Sequence, residues 1–141
     1  KGGDLDSLER YDDAIKAYDA CIQKFGNETD TTIKQNVAWA MNDKGIALSS
    51  LDRYDDAIKA YDACIEKFGN ETDTIIKKYV AKAMNDKGGD LDSLERYDDA
   101  IKAYDACIQK FGNETDEEIK QQVAEAKKAK ESSDLLRRLA F

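Results

Sequence analysis

The sequence predicts an all-α fold built as an array of repeated helical hairpins, and three observations carry that prediction. The stretch from Tyr54 to Phe68 occurs three times, beginning at Tyr11, Tyr54 and Tyr97, so the period is 43 residues. A fixed period of this size marks a repeat architecture. The first and third copies are identical, and the middle one differs only in carrying Glu66 where the others have Gln23 and Gln109. Within each copy the apolar residues (Tyr54, Ala57, Ile58, Tyr61, Cys64, Ile65 and Phe68 in the second) recur at helical spacing and form one stripe. Finally, the chain has no proline and no alternating strand pattern.

Each repeated stretch is read as a helix B. In the second copy, Asp55 and Asp56 sit in its first turn and Lys67 in its last, matching the helix dipole. Gly69 is expected to stop it in a left-handed cap. In chain order, Lys1–Ser7 repeats Lys87–Ser93 and reads as the back half of a longer helix, followed by helix B1 from Tyr11 to Phe25. Thr29 or Asp30 can cap helix A2, Asp30–Ser50, whose inner face is Ile33, Val37, Ala40, Met41, Lys44 and Leu48. Gly45 lets the partner helix approach. The turn Leu51-Asp52-Arg53 leads into B2, and helix A3, Asp73–Ser93, pairs with B3, Tyr97–Phe111. Gly88-Gly89-Asp90 is either a tolerated defect or a weak hinge, since each helical glycine costs roughly 1 kcal/mol against alanine.

The last helix opens on Thr115-Asp-Glu-Glu118, a capping box, and keeps Ile119, Val123 and Ala126. It then turns polar over Lys127–Glu131, as a helix packed on one side should. Ser132-Ser133-Asp134 is expected to interrupt it, leaving Leu135, Leu136, Leu139 and Phe141 as an apolar tail. The array thus divides into a truncated first repeat at 1–29, repeats at 30–72 and 73–115, and a capping helix with its tail at 116–141.

Composition bounds the function. Charged residues make up 37% of the chain, with a net charge of −8 and a pI near 4.6. That argues against nucleic acid and anionic membrane surfaces, because no basic stripe exists to meet phosphate. No stretch is long and apolar enough to span a bilayer, no signal peptide is visible, and the start at Lys1 reads as an excised fragment. Cys21, Cys64 and Cys107 occupy one repeat position on the apolar stripe, so they read as buried hydrophobes rather than a disulfide framework. This favours a reducing compartment, the cytoplasm. Asn27-Glu-Thr29 and its two copies are read as connectors rather than glycosylation sites. There is no histidine, phosphate loop, nucleophile elbow or paired-cysteine pattern, and Asp90–Glu95 lacks the glycine of a calcium loop. No catalytic residue, metal or cofactor is expected, and an enzyme is not.

Met41-Asn-Asp-Lys-Gly45-Ile-Ala-Leu48, followed by Tyr54, Ala57, Tyr61 and Phe68, resembles the tetratricopeptide repeat. Met41 stands for the usual aromatic, Lys44 for leucine, Leu48 for the second aromatic and Gly69 for the closing proline, and the period is longer than the family's. The resemblance implies a right-handed α-solenoid whose A helices line a concave groove, and a role as a protein–protein interaction scaffold.

Comparison of A2 with A3 supplies independent candidates. They differ at Thr32/Ile75, Gln35/Lys78, Asn36/Tyr79, Trp39/Lys82, Ile46/Gly89, Ala47/Asp90 and Ser49/Asp92, nearly all on one helical face, whereas helix B scarcely varies. The candidate partner-binding residues are therefore Gln35, Trp39, Asn42, Asp43, Ile46 and Ser49 on A2. On A3 they are Lys78, Tyr79, Lys82, Asn85, Asp86, Gly89 and Asp92. A lone tryptophan on a polar stripe suits an interface hot spot. The asparagines could bond a ligand backbone, and the surrounding carboxylates favour a basic or amphipathic protein segment. The alternatives are head-to-tail self-assembly through the chain ends, or a consensus-type array with no native ligand.

Overall fold

The computed structural model describes residues 2–140, with side chains from Leu8 onward. Six helices follow one another: α1 Gly2–Phe25, α2 Thr31–Ser50, α3 Tyr54–Phe68, α4 Thr74–Ser93, α5 Tyr97–Phe111 and α6 Glu117–Leu139. Each packs on the next, and α2, α4 and α6 (the A helices) also pack side by side. The result is an all-helical array stacked in series, the solenoid arrangement expected. Residues from successive helices form one continuous core, running from Val37 and Ala38 through Tyr61, Cys64 and Phe68 to Ile119, Val123 and Ala126.

The apolar stripe of helix B explains that core. Ala57, Ala60, Tyr61, Cys64 and Phe68 are buried in α3, and their counterparts Ala100, Ala103, Tyr104, Cys107 and Phe111 are buried in α5. Burial pushes the thiols of Cys64 and Cys107 up, to about 12 and about 11, so both are kept as neutral hydrophobes. Close approach of the A helix depends on glycine: a methyl group added at Gly45 would fall on the Tyr61 ring, and one at Gly88 on the Tyr104 ring. Recurrent ion pairs run between layers, with Lys44, Lys87 and Lys130 each 2.6 Å from an aspartate of the preceding helix, Asp19, Asp62 and Asp105. Lysine at the position where the family has leucine is thus accounted for.

Several local expectations are corrected. The glycine after helix B is not left-handed: Gly69 has φ −60 and Gly112 the same, and no glycine has positive φ among the described residues. The left-handed residues are instead Asp52 and Glu95, both at φ 59, in the turns between A and B. Asp30, Asp73 and Asp116 are the N-caps, each accepting a backbone N–H from three residues on; Asp116, not Thr115, caps α6. Helix α6 is not interrupted at Ser132–Asp134, because Ser133 is fully buried and donates to Asp92 at 2.7 Å. Nor do Gly88 and Gly89 break α4, which runs on to Ser93.

The most instructive difference is α1. Residues 1–30 repeat residues 87–116 without change, yet Leu94-Glu-Arg96 is a turn and Leu8-Glu-Arg10 is helical. A left-handed glutamate costs on the order of 1 kcal/mol. That cost is met at Glu95, in the turn between α4 and α5, whereas Leu8–Arg10 lies within α1.

The adjacent glycines of α4 give a test of opposite signs. Gly88→Ala should destabilise by about 1–3 kcal/mol, since the methyl meets a packed ring. Gly89→Ala should stabilise by about 0.5–1 kcal/mol, since a Cβ there has nothing within 4 Å. Urea unfolding of the two variants checks both; a loss at Gly89 would contradict the packing described.

Candidate functional site

The residues that vary between A2 and A3 fall into two groups in the structure. One group joins neighbouring A helices. Gln35 donates to Asp73, the cap of α4, at 3.0 Å, and Lys78 meets Asp116 and Glu118 of α6 at 4.0 and 3.2 Å. Ser49 donates to Asp90 at 2.8 Å, while one layer on the roles reverse and Ser133 donates to Asp92, which also accepts from Tyr104 at 2.9 Å. Much of the face that sequence comparison assigns to a partner is therefore engaged in register between helices. Asn42 is 1% exposed, so it is not presented to a surface ligand, while Ile46, like Tyr79, is half-buried against the core. Asn85 spends its amide on the main-chain and side-chain oxygens of Gln122, at 2.9 and 2.8 Å.

The second group stays accessible. Trp39 is 42% exposed and stands edge-on to Tyr18 of α1, ring centroids 5.4 Å apart and planes at 88°. Ile75, at the position of Thr32, is 43% exposed. With Lys78, Tyr79, Lys82, Glu118 and Gln122 it lines a depression of about 340 Å³ between α4 and α6. Gly89 leaves open space where a side chain would stand.

Acidic groups stand one turn further along the same helices: Asp43 follows Trp39 on α2, and Asp86 follows Lys82 on α4. Lys82 bonds Asp86 at 3.0 Å and its charge also acts on Asp43. Burial nevertheless holds the carboxyls of both Asp43 and Asp86 above the usual range, outweighing Lys82 and, at Asp43, the hydroxyl of Tyr18. Asp90 is pushed up to about 6 by burial, against the lowering effect of Ser49 and with Asp86 adding to the rise. Together Asp86, Asp90 and Asp43 act on the hydroxyl of buried Tyr61. Among the described residues no group of three or more acidic, Cys or His side chains is arranged to hold a metal ion. No helix is long and apolar enough to cross a membrane.

The hairpin geometry invites comparison with known families. Residues 37–68 match the family model for the tetratricopeptide repeat. The matched stretch runs from Val37 through the Gly45–Tyr61 contact to Phe68, one A–B hairpin less the first turns of α2. It supports a tetratricopeptide-type repeat at that hairpin. No curated protein and no solved structure matches the chain.

Sequence comparison missed Asp90 as more than a defect, and it missed Ser133 altogether; only the pairing of helices exposes their roles. Because Asp90 has a folded pKa raised above 3.8, the native state holds its proton more tightly than the unfolded chain. Stability should therefore rise as pH falls through about 6 toward 3.8, by no more than ~2 kcal/mol after allowance for solvent. Denaturant midpoints between pH 7.5 and 4.5 check this, and Asp90→Asn should flatten the slope.

Proposed function

We propose that the chain is a protein-interaction scaffold whose A-helix face takes a basic or amphipathic peptide or helix. Tetratricopeptide-type repeats are typically non-catalytic scaffolds, and the match at residues 37–68 supports that general role. One observation carries the specific reading: beside the inter-helix bonds of the A face, Trp39 on α2 and Ile75 on α4 remain exposed, with Asp43 and Asp86 one turn beyond Trp39 and Lys82. Apolar anchors next to acidic groups suit a cationic amphipathic segment. In this reading the working residues narrow to Trp39, Asp43, Lys78, Tyr79, Lys82 and Asp86, on units of 43 residues at 30–72 and 73–115.

End-to-end stacking fits less well. In α6 the residue equivalent to Gly88 is Glu131, so the tyrosine of a further B helix would find a glutamate in its seat. The inner layers need glycine there.

Fluorescence anisotropy with a labelled amphipathic helical peptide of lysine and leucine tests the reading. Trp39→Ala should weaken binding at least tenfold, in line with about 2 kcal/mol for a hot-spot aromatic, with helicity by circular dichroism unchanged. Unaltered affinity would sink the assignment.

A further inference from the structure

Two stretches of identical sequence are covered to different degrees. Residues 11–25 of α1 repeat α5, Tyr97–Phe111, without change. Helix α5 packs on both α4 and α6, whereas among the described residues α1 packs on α2 alone. The difference shows along the apolar stripe. Phe111 is 2% exposed and Phe25 38%; Ala103 is buried and Ala17 exposed; Tyr104 is buried where Tyr18 is half-buried. On α5 the second half of α4 covers the tyrosine, with Gly88 against the Tyr104 ring and Asp92 accepting its hydroxyl at 2.9 Å.

The sequence holds a second copy of that covering segment. Residues 2–10 repeat residues 88–96, so Gly2 corresponds to Gly88, Gly3 to Gly89 and Asp6 to Asp92. Between α4 and α5 the segment turns at Glu95, at φ 59, and the chain folds back on itself. In α1 the same residues run on as one helix from Gly2 to Phe25. A straight segment cannot lie on its own helix, but it can lie on the same helix of another copy. Carried over to two copies, the Gly88–Tyr104 contact pairs Gly2 of one with Tyr18 of the other, and two-fold symmetry repeats it in reverse. Two antiparallel α1 helices crossing near Arg10 therefore fill both seats at once. Each Arg10 at the crossing has Asp13 three residues on, the spacing at which Arg96 meets Asp99 at 2.8 Å.

We propose that the chain forms a symmetric exchanged dimer, in which residues 2–7 of each copy lie on α1 of the other as residues 88–93 lie on α5. The covering segment and its seat are ones the fold already contains, and exchange of an identical element gives an isologous contact that closes at two copies. The straight helix also avoids the left-handed glutamate that folding back would require. The dimer leaves α2, α4 and α6 unaltered, so each particle carries the A-helix face twice. This inference is independent of what that face binds.

Sedimentation equilibrium of the full chain over a wide range of concentration tests it. The mass should level off at twice that of the 15.8 kDa chain. Two neighbouring glycines then separate seating from helix propensity. Gly2→Leu places a side chain where Gly88 leaves room for a ring, and should weaken the dimer at least tenfold. Gly3→Leu stands at the position of Gly89, where a Cβ has nothing within 4 Å, and should leave the dimer as tight as in the parent or tighter. Glu9→Gly eases the left-handed turn and should shift the balance at least threefold toward a folded-back monomer. A monomer at every concentration, a mass that grows past two copies, or equal effects of Gly2→Leu and Gly3→Leu would overturn the dimer. An unmoved equilibrium in Glu9→Gly would overturn the exchange.

Discussion

Everything in this array depends on how closely a B helix can approach the A helix before it. Gly45 and Gly88 leave room for the flat rings of Tyr61 and Tyr104, and the rest of the junction is built outward from those two contacts. Tyr104 carries its hydroxyl to the place where α4 meets α6, donating to Asp92, which also takes the Ser133 hydroxyl. At the α2–α4 junction Ser49 donates to Asp90, whose charge acts on buried Tyr61. At Asp92 a single knot thus ties together an A helix, its B partner and the following A helix. The apolar part of the knot supplies most of the stability, because burying a large side chain is worth about 1.5–3 kcal/mol and a neutral hydrogen bond about 1 kcal/mol. The polar part sets register.

That division explains what the A-helix face has left to offer a partner. Residues that vary from one A helix to the next were open to two uses, recognition and register, and the structure assigns many of them to register. Gln35, Ser49, Asp90 and Asp92 each bond to a neighbouring helix. On α2 and α4, Trp39 and Ile75 are the large apolar side chains that this demand leaves exposed, and the acidic groups near them carry burial that Lys82 does not offset. The concentration of negative charge at this point fits the proposed occupant.

The helical class, the B-helix stripe, the glycine approach and the burial of Cys64 and Cys107 were legible in the sequence because each is a local or periodic property; Cys21, at the same repeat position, is only half-buried. Three features were not, for reasons that differ. The helical Leu8–Arg10 and the turned Leu94–Arg96 share one sequence, so no local rule can distinguish them. The unbroken α6 depends on Ser133 meeting Asp92 across forty-odd residues, a pairing invisible without the layer order. Asn42 looked available because its spacing matches exposed neighbours, but it lies within the packed layer of A helices. Of the candidate site, the tryptophan and the acidic pair were legible as residues, and their separation from the register residues was not.

The claim that a serine–aspartate bond sets register, in either direction, can be tested by exchange. Ser49→Asp alone places a second carboxylate against Asp90, and Asp90→Ser alone leaves two hydroxyls; each should destabilise the array. The double exchange restores at the first junction the arrangement already present at Asp92 and Ser133. A double-mutant cycle by urea unfolding should therefore give a favourable coupling of about 1–3 kcal/mol, with the double variant close to the parent. Additive losses would contradict the account.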